Sequence, residues 1–376
     1  MIIGTVSSAS RLPSAMILAK SVKKHMRECK VVVGIIEDSM PSEALIYPYF
    51  DEVVLIKDLG TYPDMQKFFF QYTAEEATRA CRAPMMKHIY NKYTDEHLML
   101  YMDAETKVVS PLEELAAAAA NHPIILIGNV VHPETLDMDW LSGIRHRGIY
   151  HPGFLALKRH PDAERFLSWW SKLSENNSYY DHGSKRFADH AWLDLTHTLF
   201  DDVYALRHNG YLVTAENIME RWNIHQVSPD AYTIDGQPLR SIHVTDDFLH
   251  ATSWIDSERG ELFGSLFQDY SEERKGMAQL AVSIAPWSYS RFAGGEPIED
   301  QTKEMFRRHY YVNPEIDNPF LLSNAFFTGE QRSVEAPSLP ALLPKSKPVM
   351  QARRRRLRLR RKKEYSVRKK RRASSV

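Results

Sequence analysis

The sequence predicts an α/β protein, with a mixed sheet flanked by helices. Three observations carry this. Short apolar runs alternate with amphipathic stretches through the first half of the chain. The run "HLMLYM" (97–102) is apolar on both faces, as a central strand is. Two carboxylates, Asp103 and Glu105, follow it at once, on the edge where open α/β sheets bind ligands.

The elements follow in order. "IIGTVS" (2–7) reads as a strand. In "LPSAMILAKSVKKHM" (12–26), Leu12, Met16, Ala19, Val22 and Met26 recur at spacings of three and four, so a helix is expected. "KVVVGIIED" (30–38) and "EVVLIK" (52–57) are further strands, and residues 63–93 are helical with a break near Pro84. After the 97–102 strand, "SPLEELAAAAA" (110–120) offers a Ser cap and a Pro at the first helical position. "PIILIGNVV" (123–131) is a strand. "GFLALKRHPDAERFLSWWSKL" (153–173) reads as a strand and then a helix from Pro161, with Trp169 and Trp170 at core spacing. A helix is expected over 189–200, short strands at "VYALRH" and "YLVTAE", a strand within 239–247 and a helix over 258–284.

The chain has 48 basic and 48 acidic residues, but they are segregated. Residues 345–372 hold 16 Lys and Arg against one acid, Glu364, which leaves 32 basic and 47 acidic residues elsewhere. From Gly329 onward Pro and Ser, then Arg and Lys, dominate, so a disordered basic tail is expected. The expected division is a catalytic domain over 1–255, a helical extension over 256–328 and the tail over 329–376. Two cysteines, Cys29 and Cys81, are too few for a disulfide framework and suit a reducing compartment. No run approaches the roughly 18 apolar residues of a membrane span, and "MIIGTVSSASRLPSAMILAK" does not read as a signal peptide. A cytoplasmic protein is expected, peripheral at the inner membrane face if the tail meets anionic lipid. Nucleic acid is the weaker partner for that tail, since Tyr365 is its one aromatic residue.

On an extended chain residues i and i+2 face the same side, so Asp103 and Glu105 should stand together. Two like charges so placed call for a cation, and a hard divalent ion meeting phosphate oxygens suits them. Strands also end in solvated acids, and the residues alone leave both readings open.

The passage "MLYMDAETKVVSPLEEL" resembles the strand–DxD–strand motif of GT-A-fold glycosyltransferases, especially the family 8 and glycogenin-like group, and the likeness runs along most of 1–320. "PMMKHIYNKY" places Lys87 sixteen residues before Asp103; "HPGFLALKR", "ADHAWLDL" and "SIHVTDD" resemble later motifs of the same family, and "YSRFAGGEPI" those of bacterial relatives. The resemblance implies a Rossmann-like nucleotide-diphospho-sugar transferase fold and a hexosyltransferase-like enzyme using a nucleotide sugar, UDP-linked by expectation, with retention at the anomeric carbon. It implies that Gly4, Thr5 and Val6, with Asp103, Ala104 and Glu105, contact the nucleotide. It implies that Asp103, Glu105 and His243 hold Mn²⁺ (or Mg²⁺), the mixed oxygen and imidazole set leaning to manganese. Lys87 would face the diphosphate or sugar, and Asp189 the sugar hydroxyls or reacting face. The acceptor, a glycan, lipid-linked or protein group, with a cell-envelope glycan as the expectation, is not read from the residues, nor is the oligomeric state.

The chain departs from the family at Glu105 (usually Asp), His151 (usually Asn), His190 (usually Gln) and Asp194 (usually Asn). These departures motivate one alternative, a catalytically degenerate binding module carried by its tail. A nucleotidyltransferase is the other, and "GTVSSASRLPS" argues against it, having one Gly and one Arg. Trp222, Trp254 and Trp287 are candidates to stack on an acceptor sugar.

Overall fold

The structure, a computed structural model, describes residues 1–132, 134, 137–180, 190–253, 255, 257–280 and 286–328. The strands are β1 (Ile2–Ser7), β2 (Lys30–Ile35), β3 (Glu52–Leu55), β4 (Leu98–Met102), β5 (Thr106–Val108), β6 (Ile124–Gly128), β7 (Tyr150–Lys158), β8 (Val203–Leu206), β9 (Ile224–Ser228), β10 (Ala231–Ile234), β11 (Gln237–Pro238) and β12 (Ser241–His243). Seven of them form one sheet in the order β3-β2-β1-β4-β7-β6-β8. All neighbours are parallel except β7, which runs antiparallel to β4 and β6. β9, β10 and β11 form a small antiparallel sheet, and β5 pairs with β12.

This is the expected mixed α/β architecture. β1 is buried along its whole length and β4 along all but its first residue, which explains their unbroken apolar sequences. The helix Leu12–His25 buries Leu12, Met16, Ala19 and Val22, the residues its periodicity selected. The region 63–93 is three helices, Met65–Phe70, Ala74–Ala80 and Arg82–Lys92. Thr73 opens the second with a reciprocal capping box to Glu76. Pro84 does not break the third: it sits in the first turn, where a missing N–H costs nothing. Ser110 does not cap a helix either; its hydroxyl donates to the Leu239 carbonyl at 2.7 Å, and the helix there is Glu113–Ala119. "YLVTAE" contributes an isolated bridge, Val213 to Ile242, in place of a strand.

Met1–Thr328 make one compact unit. Within it the segment after residue 286 enters the main core: Phe292, Phe306, Phe320 and Phe327 surround Phe70. Among the described residues no helix is long and apolar enough to cross a membrane.

The strand order reverses direction of travel at β1, whose neighbours are β2 on one side and β4 on the other. In open α/β sheets the ligand crevice lies at such a switch point, here beyond the carboxyl ends of β1 and β4. β12 is brought to the same place by residues 210–213. The Gly210 carbonyl accepts from Arg240 and Ser241 N–H at 2.7 and 3.1 Å, and His243 N–H donates to Val213 at 2.8 Å. A Cβ on Gly210 would lie 2.8 Å from the Pro238 carbonyl carbon and 2.9 Å from Leu239 Cα, both backbone atoms that cannot swing aside. Gly210→Ala is therefore expected to destabilise the fold by about 1–3 kcal/mol, read as a lower urea midpoint; an unchanged midpoint would contradict this packing.

Candidate active site

Asp103 lies just past β4, in the crevice. It is 6% exposed, and so is deprived of most of its water. Its compensation comes from Arg82, 3% exposed, at the start of the helix that precedes β4. Arg82 Nε and Nη2 donate to Asp103 Oδ1 and Oδ2 at 3.1 and 2.6 Å, a two-pronged charge-assisted pair. His243 Nε2, from the end of β12, stands 3.9 Å from Asp103 Oδ2. His151, on β7, puts its ring 5.2 Å from that of His243 and accepts the Gly153 N–H at Nδ1 at 3.1 Å. Burial opposes ionisation of Asp103, but the Arg82 charge, then the nearby imidazoles of His243 and His151, hold its carboxyl well below the usual range.

β7 makes room for this. The Asp103 N–H donates to Gly153 O at 2.8 Å. A side chain at 153 would come within 2.6 Å of Asp103 Cγ and 2.8 Å of His151 Cε1. Glycine at 153 thus permits the carboxylate and imidazole to meet over the strand.

Glu105 does not share the cation of Asp103. Residues 103–105 turn instead of extending, closed by Thr106 N–H to Asp103 O at 2.9 Å. The alternation of a strand ends with β4, and the same-side expectation fails with it. Glu105 instead pairs with Arg11, on the short turn that follows β1.

A divalent ion bound by Asp103, Glu105 and His243 would need those three side chains to converge. The structure brings Asp103 and His243 together, but leaves Glu105 with Arg11 and gives both Asp103 oxygens to Arg82. Among the described residues no three His, Cys, Asp or Glu groups are placed to hold a metal. The arrangement does not fit the expected ion.

The other expected residues are placed as follows. Gly4, Thr5 and Val6 are buried inside β1, where Gly4 gives Ile89 space to pack, so none of them offers surface to a nucleotide. Ala104 is buried in the turn at 2% exposure. Lys87 is partly buried, about 8 Å along the helix axis from Arg82 and turned well away from it; the cation on Asp103 is Arg82. Asp189, with Asp181 and His182, lies outside the described residues. So does Trp254. Trp287 packs against Phe69 and Tyr289 and donates Nε1–H to Ile36 O at 2.7 Å, a core role. Trp222 is 42% exposed beneath the Arg259 guanidinium.

Three residues of the crevice escaped the sequence reading: Arg82, Arg11 and Glu37. For Arg82 a signal exists. Its helix has 11 residues and descends about 16 Å, and the chain returns through β4, of 5 residues, over about 17 Å. A residue at the helix start therefore lands beside the residue just past the strand. Glu37, after β2, accepts from Ala9 N–H and Ser288 N–H at 2.8 and 2.9 Å, tying the turn after β1 to the C-terminal segment.

No family model and no curated protein matches this chain. Among solved structures it is similar to the galactosyltransferase LgtC in complex with donor and acceptor sugar analogs, at 15% identity and TM-score 0.42 over 70% of this chain and 96% of that one. It is similar to a glycosyltransferase involved in glycosylation of the major capsid of PBCV-1, at 10% identity and TM-score 0.38 over 74% and 100%. Mouse xyloside xylosyltransferase 1 gives 11% identity and TM-score 0.37 over 65% and 97%.

The Asp103–Arg82 pair makes a pH-dependent prediction. Because the folded carboxyl lies below its ordinary 3.8, its stabilisation is full above that pH and is lost as pH falls further. Asp103→Asn leaves a buried guanidinium uncompensated and is expected to cost about 3–5 kcal/mol at pH 7. The gap between variant and wild-type urea midpoints should narrow toward pH 3; a gap independent of pH would contradict the pairing.

Proposed function

We propose that this chain is a glycosyltransferase that takes its sugar from a nucleotide-sugar donor, with the donor's diphosphate in the crevice at the carboxyl ends of β1 and β4. The observation that supports it is the gathering of Asp103, Arg82, His243 and His151 at the strand-order reversal, with Arg11 paired to Glu105 on the next turn. In the reaction the bond between the anomeric carbon and the diphosphate oxygen breaks, its electron pair leaves with the nucleoside diphosphate, and an acceptor hydroxyl oxygen bonds to the anomeric carbon, its proton passing to the departing diphosphate or to solvent. Preorganised donors and cations aimed at that developing charge supply most of such catalysis. UDP as the nucleotide, retention at the anomeric carbon and a glycan acceptor are further terms of the proposal, motivated by the motif order from "MLYMDAE" to "SIHVTDD".

The test is release of nucleoside diphosphate from a panel of nucleotide sugars, followed by phosphorus NMR. A UDP-sugar is expected to yield UDP, and Asp103→Ala to slow the release by about 100-fold or more. Inertness toward the whole panel, or pyrophosphate release from a nucleoside triphosphate in its place, would overturn the reading.

A further inference from the structure

Both carboxylates of the "DAE" turn already have a cation, and each cation is a guanidinium from a different element. Arg82 reaches Asp103 from the helix before β4, and Arg11 reaches Glu105 from the turn after β1. Two arginines thus balance two carboxylates, the charge a single divalent ion would otherwise bring. The two pairs differ in setting. Arg82 and Asp103 have side chains 4% and 8% exposed, so their pair is part of the frame. In the other pair the Arg11 side chain is 46% exposed and that of Glu105 14%.

We propose that Arg11 is the cation that receives the donor's diphosphate, that Glu105 occupies Arg11 until the diphosphate displaces it, and that nucleotide binding needs no divalent metal. This rests on the nucleotide-sugar reading and deepens it. A guanidinium is suited to the role, since its planar fork matches two oxygens of a carboxylate or of a phosphate equally. Exchange at Arg11 is less costly than at Arg82, because the Arg11 guanidinium is half open to water, although Glu105, at 14% exposure, gives up part of its compensation. Arg82 cannot exchange in this way without stranding a buried Asp103. It is the positioning residue that fixes the turn from which Glu105 projects.

Glu105 supplies the discriminating experiment, because its two roles have opposite signs. A metal-ligating Glu105 makes Glu105→Gln weaken nucleotide binding; a competing Glu105 makes the same substitution tighten it. Binding of UDP, GDP and ADP to the full-length protein is measured by calorimetry in EDTA and again in Mn²⁺, with circular dichroism confirming that each variant is folded. The expected result is one nucleoside diphosphate bound with affinities in the two media within about twofold, tightened threefold or more by Glu105→Gln and weakened tenfold or more by Arg11→Gln. Binding that requires Mn²⁺, or weakening by Glu105→Gln, overturns the inference and leaves the nucleotide-sugar reading intact. Failure of all three nucleotides in both media overturns both.

Discussion

The buried pair between Arg82 and Asp103 is the constraint from which the crevice follows. Neither charge is tolerable there alone, because a guanidinium or carboxylate stripped of water costs several kcal/mol before any partner compensates it. The pair therefore locks the start of one helix to the end of the strand that follows it. With that helix start fixed, Met85 and Ile89 fall over β1, where a Cβ at residue 4 would push the Ile89 side chain aside. The same carboxylate presses on β7, which must then be glycine at 153. A single ion pair thus reaches into three neighbouring strands.

Much of the fold was legible because it is local. β1, β2, β4 and β6 are apolar runs of strand length, and the helix Leu12–His25 shows its buried stripe in the spacing of its residues. What was not legible is non-local. Whether "DAE" extends or turns is set by β5 pairing with β12, Ser241 to Val108 and His243 to Thr106, and by the Val244 N–H that takes the Glu105 carbonyl. Those partners are well over a hundred residues away, and periodicity in a short window carries no information about them. Arg11 and Arg82 were hidden for a related reason. An arginine beside a helix start resembles a solvated charge until the carboxylate opposite it is known. His243 and Asp103 do meet, although the residues by themselves gave His243 no distinction among 16 histidines.

The C-terminal segment belongs to the same frame. Glu37 accepts from the turn after β1 on one side and from Ser288 on the other, and Trp287 is fastened to the end of β2. The aromatic residues that follow complete the core around Phe70. The turn that carries Arg11 is therefore braced from behind through Ala9, while Arg11 itself extends outward.

A site whose charges are paired before any ligand arrives can still bind one, provided that the pairs differ in cost. An exposed ion pair contributes about 0.2–1 kcal/mol, so a dianionic ligand that offers more oxygens than one carboxylate can displace it. A buried pair broken on one side costs about 3–5 kcal/mol, so it stays closed. The crevice has one closed pair and one half-open pair, their acids two positions apart: Asp103 with the buried Arg82, and Glu105, 14% exposed, with Arg11, 46% exposed. The turn between them separates the two roles, because an extended "DAE" would have put both carboxylates in the same environment. The departure of Glu105 from the strand geometry is thus what gives the two acids different partners and different exposure.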